Sequence, residues 1–199
     1  IDITNISGII SLKALTVDSL NARVRRLQFK EKSGVDLQRF SFRVTGNNSK
    51  LAISNIDIKL PSSTLKFNNI VFRYDSLKNL SSFTDDLKYS GNLIAKINPH
   101  DLYPFIPVFK NYHDEINLNL RLSGDNYKIV CSRFNMSDKL GMDINAEAYI
   151  NGLKSSQSPE LSLSIFTSNF TNKNINNFVR SFGVALPAPI TDRAFINFK

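Results

Sequence analysis

The chain has 199 residues, of which 42% are hydrophobic and 21% charged, and its 25 Lys and Arg outweigh 17 Asp and Glu for a net charge of +8. That balance excludes a disordered polyelectrolyte, and no run of about 18 apolar residues is present to cross a membrane as a helix. A single cysteine excludes a disulfide within the chain.

From residue 1 to 74 a phrase recurs. Two or three alternating apolar residues are followed by two polar-tolerant positions, then by more alternating apolar residues on the opposite parity. It reads Leu20, Ala22, Val24, then Leu27, Phe29. It returns as Val35, Leu37, then Phe40, Phe42, Val44. Leu51, Ile53, then Ile56, Ile58, Leu60 is the third copy, and Leu65, Phe67, then Ile70, Phe72, Tyr74 the fourth. The second halves start at Leu27, Phe40, Ile56 and Ile70, steps of 13, 16 and 14 residues. Period-two alternation predicts strands, because successive side chains point to opposite faces. The two-residue gap predicts a β-bulge or bend, which adds one residue and returns the rest of the strand to the same apolar side. Phe42, Ile58 and Phe72 should then face one way and Arg43, Lys59 and Arg73 the other.

Turn signals at Ser33-Gly34, Gly46-Asn47-Asn48 and Pro61-Ser62-Ser63 make these strands an antiparallel meander. Residues 76–87 carry Leu77, Leu80, Phe83 and Leu87 at helical spacing, so a short helical turn is expected there. Strand character resumes at 88–97. Asn98-Pro99 then reads as the cap and first residue of a short helix. Leu102, Phe105, Ile106 and Phe109 form its apolar stripe, and Pro104 and Pro107 limit its length. Strands follow at 115–123, 126–137, 140–150 and 160–167. The second of these contains a fifth copy of the phrase, Ile129, Cys131, Phe134, Met136. Ile175, Phe178, Val179 and Phe182 mark an amphipathic helix, capped by Thr171 or Asn172 and ended by Gly183. Both helices are expected to pack on the apolar side of the sheet or to cap its ends.

The fold class expected is mainly β: a curved antiparallel meander forming an elongated, groove-like (taco-shaped) sheet with two or three short helices. The chain starts at Ile1 rather than Met and finishes on a strand-like run, 194–198. Residues 1–199 are therefore read as a single fragment of a larger protein, with similar halves at 1–110 and 111–199.

Catalytic chemistry has little to stand on. Asp85-Asp86 and Asp114-Glu115 lie in turn-like stretches that caps and turns explain. His100, His113 and the distant Cys131 lack metal-ligand spacing, and no Gly-rich phosphate loop or nucleophile motif occurs. Cys131 occupies an apolar position and reads as a buried small hydrophobe. No enzyme, cofactor or metal is expected. The basic excess is scattered on outward strand positions, where a solvated polar face explains it. Arg23, Arg25, Arg26, Lys30 and Lys32 form one local cluster that offers a second explanation, an anionic partner. Phe40-Ser41-Phe42-Arg43 fits nucleic-acid recognition only loosely, and no nucleic-acid partner is expected.

The segment from Ser11 through Gly34 resembles the AsmA-like, or TamB (translocation and assembly module), family in its Bacteroidota form. So do Asp36-Leu37, Leu60-Pro61-Ser62, Tyr74-Asp75-Ser76-Leu77 and the run from Asp101 to Pro107. The resemblance implies a periplasmic sheet curled into a groove with a hydrophobic floor, within a parent protein anchored in the inner membrane. It implies a non-enzymatic role in phospholipid transfer to the outer membrane and in envelope biogenesis. Phospholipid acyl chains would be the partner, with the groove candidates Leu37, Phe40, Phe42, Ile53, Ile56, Ile58, Phe67, Ile70 and Phe72. The alternative is a structural β-scaffold, filled by its own side chains, that supports outer-membrane protein assembly by docking an assembly protein on a strand edge.

Overall fold

The computed structural model describes residues 3–16, 19–75, 87–105, 107, 109, 114–154, 158–181 and 194–195. Among them the fold is mainly β. One open antiparallel sheet is built in strict chain order from β1 (Ile3–Thr16), β2 (Ser19–Glu31), β3 (Asp36–Gly46), β4 (Lys50–Lys59) and β5 (Thr64–Arg73). It continues through β6 (Lys88–Ile97), β7 (Ile116–Gly124), β8 (Lys128–Asp138), β9 (Asp143–Asn151), β10 (Glu160–Phe170) and the two-residue β11 (Ala194–Phe195). A 3-10 turn, Pro99–Leu102, follows β6, and helix α1, Asn172–Ser181, follows β10.

The meander follows from local chemistry. Asn47 Oδ1 accepts from the amides of Ser49 (3.0 Å) and Lys50 (2.9 Å), closing the β3–β4 turn. Asp125 Oδ1 does the same for Tyr127 (2.9 Å) and Lys128 (3.1 Å), and Asp138 Oδ1 for Leu140 (2.9 Å) and Met142 (2.8 Å). Side chains that mimic a turn carbonyl fix where each hairpin reverses. Gly34, at φ +108°, supplies the left-handed step between β2 and β3.

Each expected gap is a real bulge. In β2, Val24 pairs with Phe42 while Leu27 pairs with Phe40, so three residues on β2 match two on β3. In β4 and β5 the extra residues sit side by side: Ile53 pairs with Ile70 and Ile56 with Phe67, leaving Asn55 and Asn68 between them. Asn55 takes φ +54°, a left-handed conformation in which asparagine is the best tolerated of the larger residues. Cys131 and Phe134 of β8 bracket the fifth. Both gap residues fall on the polar side, which is why those positions tolerate polarity.

The helical pieces sit at one end of the sheet. Asn98 caps the 3-10 turn, its Oδ1 accepting from His100 N at 3.0 Å. The Ser62 amide donates to Asp101 Oδ2 (2.9 Å) and the Asn98 amide to Ser63 Oγ (2.9 Å), tying the turn to the β4–β5 connection. Thr171 and Asn174 bond reciprocally at the start of α1, Thr171 Oγ1 accepting from Asn174 N at 3.3 Å and Asn174 Oδ1 from Thr171 N at 3.0 Å. Asn177 donates to Asp114 just before β7 (2.6 Å), and Asn174 to Asp138 at the end of β8. One expectation fails. Phe105 does not pack on the apolar side; it is 68% exposed, because the polar ties place the turn beyond the strand ends rather than over their face. The helical turn expected over 76–87 lies outside the described residues except for Leu87, which is fully buried. Ile106, Phe182 and the side chains of Ile175, Phe178 and Val179 also lie outside them.

Candidate functional site

Residues directly opposite one another across a ladder share a face. Following the pairs from strand to strand therefore draws rows across the sheet. One row runs Leu27, Phe40, Ile58, Leu65, Ala95, Leu118, Met136, Ile144 from β2 to β9. The next holds Val24 and Phe42, then Ile56, Phe67, Leu93, Leu120, Phe134, Ala146 and Ile165. A third joins Leu12, Ala22, Val44, Ile53, Ile70, Gly91, Leu122, Cys131, Ala148 and Leu163. The fourth begins at Leu15 and Leu20, passes Leu51, Phe72 and Tyr89, and ends at Ile150 and Leu161. All nine groove candidates fall on this face; Leu37 lies just beyond the first row, paired with Phe29. Arg43, Lys59 and Arg73 lie on the other face and are exposed.

Nothing in the described structure covers these rows. Extensive contacts join each strand only to its sequence neighbours. As expected of a groove floor, this face is open among the described residues: most row residues are half-buried, and only Ile56 (7% exposed), Ala95 and Ala146 are buried within it. Cys131 likewise is half-buried on this face rather than sealed in a core. At the edges exposure rises, with Ile10, Leu12 and Leu15 on β1 and Leu161 and Leu163 on β10 all exposed. Strands about 4.8 Å apart and four rows deep give a footprint of roughly 900 Å². The largest apolar patch on an ordinary monomer is about 300–600 Å². The face exceeds what solvation normally tolerates.

Its relief is uneven. Phe40 and Phe42 touch ring to ring, with centroids 4.9 Å apart, and keep the β3 part of the face full. A hollow of about 260 Å³ opens at β8–β10, lined by Cys131, Phe134, Ile144, Ala146, Glu147, Ala148, Leu163 and Ile165. Sequence reasoning selected large apolar residues and missed this hollow. Two alanines at inward positions of one strand, Ala146 and Ala148, were the available signal.

The opposite face carries the charge, with Ala52, Val71, Ile94, Val130 and Tyr149 among its apolar positions. Lys50, Arg73 and Lys88 stand directly opposite one another, as do Arg23 and Arg43, and Arg121 and Arg133. Glu115 bridges Lys96 (2.8 Å) and Lys139 (3.4 Å), and these hydrogen bonds, Lys96 first, hold its carboxyl below the usual range. Tyr74 is buried, which raises its phenol, and it donates to Asn47 O at 2.7 Å. Tyr89 is raised by burial and by the nearby Asp125 carboxylate.

No group of three or more His, Cys, Asp and Glu is placed to hold a metal among the described residues. No described helix is long and apolar enough to cross a membrane. Comparison with protein-family models, with curated proteins and with solved structures finds no match.

Proposed function

We propose that the uncovered apolar face carries phospholipid acyl chains, making this sheet a non-enzymatic segment of a lipid-conducting bridge in the bacterial envelope. The observation that supports it most is the set of four apolar rows with no second layer over them among the described residues. A sheet with one apolar face ordinarily buries it against another element. Burying each large apolar side chain contributes about 1.5–3 kcal/mol, so an occupant gains substantially by lying there. Acyl chains need no directional partner, and the rows offer none. Bulges bend their strands, and bending of adjacent strands in register favours a trough over a flat wall. The resemblance in sequence to the AsmA-like and TamB family supports a reading in which such a trough lies in the periplasm, as part of a protein anchored in the inner membrane, with lipid delivered toward the outer membrane.

A structural scaffold is the second reading, and one observation favours it. Among the described residues, β1 offers a 14-residue strand paired on one side only, and β10 pairs with β11 only through Asn169 and Phe170. Two long free edges suit strand addition by an assembly partner.

Native mass spectrometry of the purified chain separates the two. A lipid conduit retains phospholipid, released when the chain is unfolded. A folded chain that never carries lipid, while a strand peptide pairs with β1 or β10, supports the scaffold instead.

A further inference from the structure

The polar face contains one feature that lipid transport on the other face does not use. A concavity of about 670 Å³ lies against β1–β4, lined by Arg25, Arg26, Lys30, Arg39 and Lys59 together with Asn5, Phe29 and Leu37, with Asp36 the one carboxylate on its wall. The bulges explain its charge. Val24 and Leu27 both face the apolar side, so Arg25 and Arg26 between them both turn to the polar side. Leu37 and Phe40 do the same for Gln38 and Arg39 on the neighbouring strand. Two adjacent bulges thus place four polar side chains where straight strands would place two. Lys59, opposite Arg39, closes the third side.

The ion pairs are unequal to this charge. Asp36 takes Lys30 (3.1 Å), and Asp57 takes Arg39 (2.6 Å). No acidic partner is recorded for Arg25, Arg26 or Lys59 among the described residues, and all three side chains are exposed. Two adjacent guanidinium groups and an ammonium around a concavity match a tetrahedral oxyanion, because guanidinium binds phosphate oxygens in a planar, bidentate way. The geometry points to a phosphate-binding site formed by Arg25, Arg26 and Lys59 on the polar face. Its ligand is a phosphate group, supplied either by an anionic lipid headgroup at a membrane surface or by a free phosphate. Arg25, Arg26 and Lys59 project from the polar side, so phosphate binding by them stands or falls independently of lipid conduction, although Leu37 of the groove set borders the same concavity.

The test uses the full chain in two arms. In the first, inorganic phosphate is titrated while the arginine side-chain N–H resonances are followed by NMR. In the second, flotation is measured with phosphatidylcholine vesicles with and without phosphatidylglycerol. The variants are R25A/R26A and Lys59→Ala, with K50A/K88A as a control that removes two charges from the basic ladder elsewhere on the same face. Circular dichroism confirms folding. Binding should weaken about 25-fold in R25A/R26A and about fivefold in Lys59→Ala, against less than about threefold in the control. Saturable shifts with phosphate and no vesicle binding identify a free phosphate. Vesicle binding that depends on phosphatidylglycerol and on these residues identifies a headgroup. Equal losses in R25A/R26A and K50A/K88A, or no binding in either arm, overturn the site.

Discussion

Strands β2–β5 and strands β6, β7 and β9 build the same apolar face by different means. In the first region every strand carries a bulge, and large side chains meet large ones across the ladders, as in Phe40 with Ile58 and Ile56 with Phe67. In the second the alternation is unbroken, and small residues stand between large ones: Gly91 between Ile70 and Leu122, Ala95 between Leu65 and Leu118, Ala148 between Cys131 and Leu163. The bulged region adds residues to bend its strands. The straight region removes side chains to make room. A hollow on the apolar side opens where the small residues of β9 meet β8 and β10.

Deleting a bulge residue should show how much the first device matters. Loss of Asn55 moves either Leu51 and Ile53 or Ile56 and Ile58 onto the polar face, because a one-residue slip inverts every side chain on one side of it. Displacing Ile56 and Ile58 costs about 4 kcal/mol, taking about 2 kcal/mol for each. Chemical denaturation should find the deletion variant largely unfolded. A midpoint like the wild type's would mean that the bulge is not what aims β4.

In the straight region the matching test is a glycine pair. A Cβ on Gly124 would lie 2.3 Å from the Lys128 carbonyl oxygen and 2.8 Å from Tyr89 Oη, so backbone must shift. Gly124→Ala should destabilise by about 2–3 kcal/mol. A Cβ on Gly91 meets Asn69 O at 3.4 Å and Ile70 Cγ1 at 3.5 Å, ordinary contact. Gly91→Ala should be neutral or stabilising by about 0.5 kcal/mol, since alanine orders a strand at less entropic cost. Equal effects at both sites would show that glycine is not serving the face.

The pattern of apolar residues carried most of this legibly. Alternation placed β2–β9 within a few residues of their true ends, and the two-residue gaps marked the bulges because only a polar residue tolerates both gap positions. Gly46-Asn47 and Asp138 marked turns through chemistry local to themselves. What the pattern could not carry was contact between distant segments. Phe105 belongs to a stripe that predicts a buried face, yet Asp101 binds the amide of Ser62, and Asn177 binds Asp114, and those ties decide where the helical pieces sit. The hollow over Ala146 and Ala148 was hidden for a related reason. An alanine signals neither core nor cavity until its neighbours Phe134 and Leu163 are placed around it.

Strain at the bulge gives a smaller effect. Asn55→Val should destabilise by about 1–2 kcal/mol, because a β-branched residue is poorly accommodated at φ +54°, whereas Asn55→Gly should be near neutral. Similar thermal midpoints for the two variants would show that β4 adopts another conformation there. The smallest effect is electrostatic. Glu115 is held below its usual value of 4.5 by Lys96 and Lys139, so its contribution is complete above that pH and disappears as pH falls through the lower folded value. Glu115→Gln should flatten the acid limb of the stability profile without changing stability relative to wild type at the lowest pH. An unchanged acid limb would show that these lysines do not hold the carboxylate in solution.

The most direct test of acyl chains on the apolar face uses one strand from each region and both faces of each strand. A photoreactive amino acid is placed at Ile70 and at Ala148 on the apolar rows, and at Val71 and Tyr149 immediately behind them. Val71 pairs with Ala52 and Tyr149 with Val130, so the controls are themselves apolar but face the other way. Each variant is irradiated with phospholipid present and the adducts are read by mass spectrometry. Lipid adducts at Ile70 and Ala148, with more at Ala148 beside the hollow and none at Val71 or Tyr149, are the expected result. Adducts at equal yield on both faces, or at none of the four positions, would contradict it.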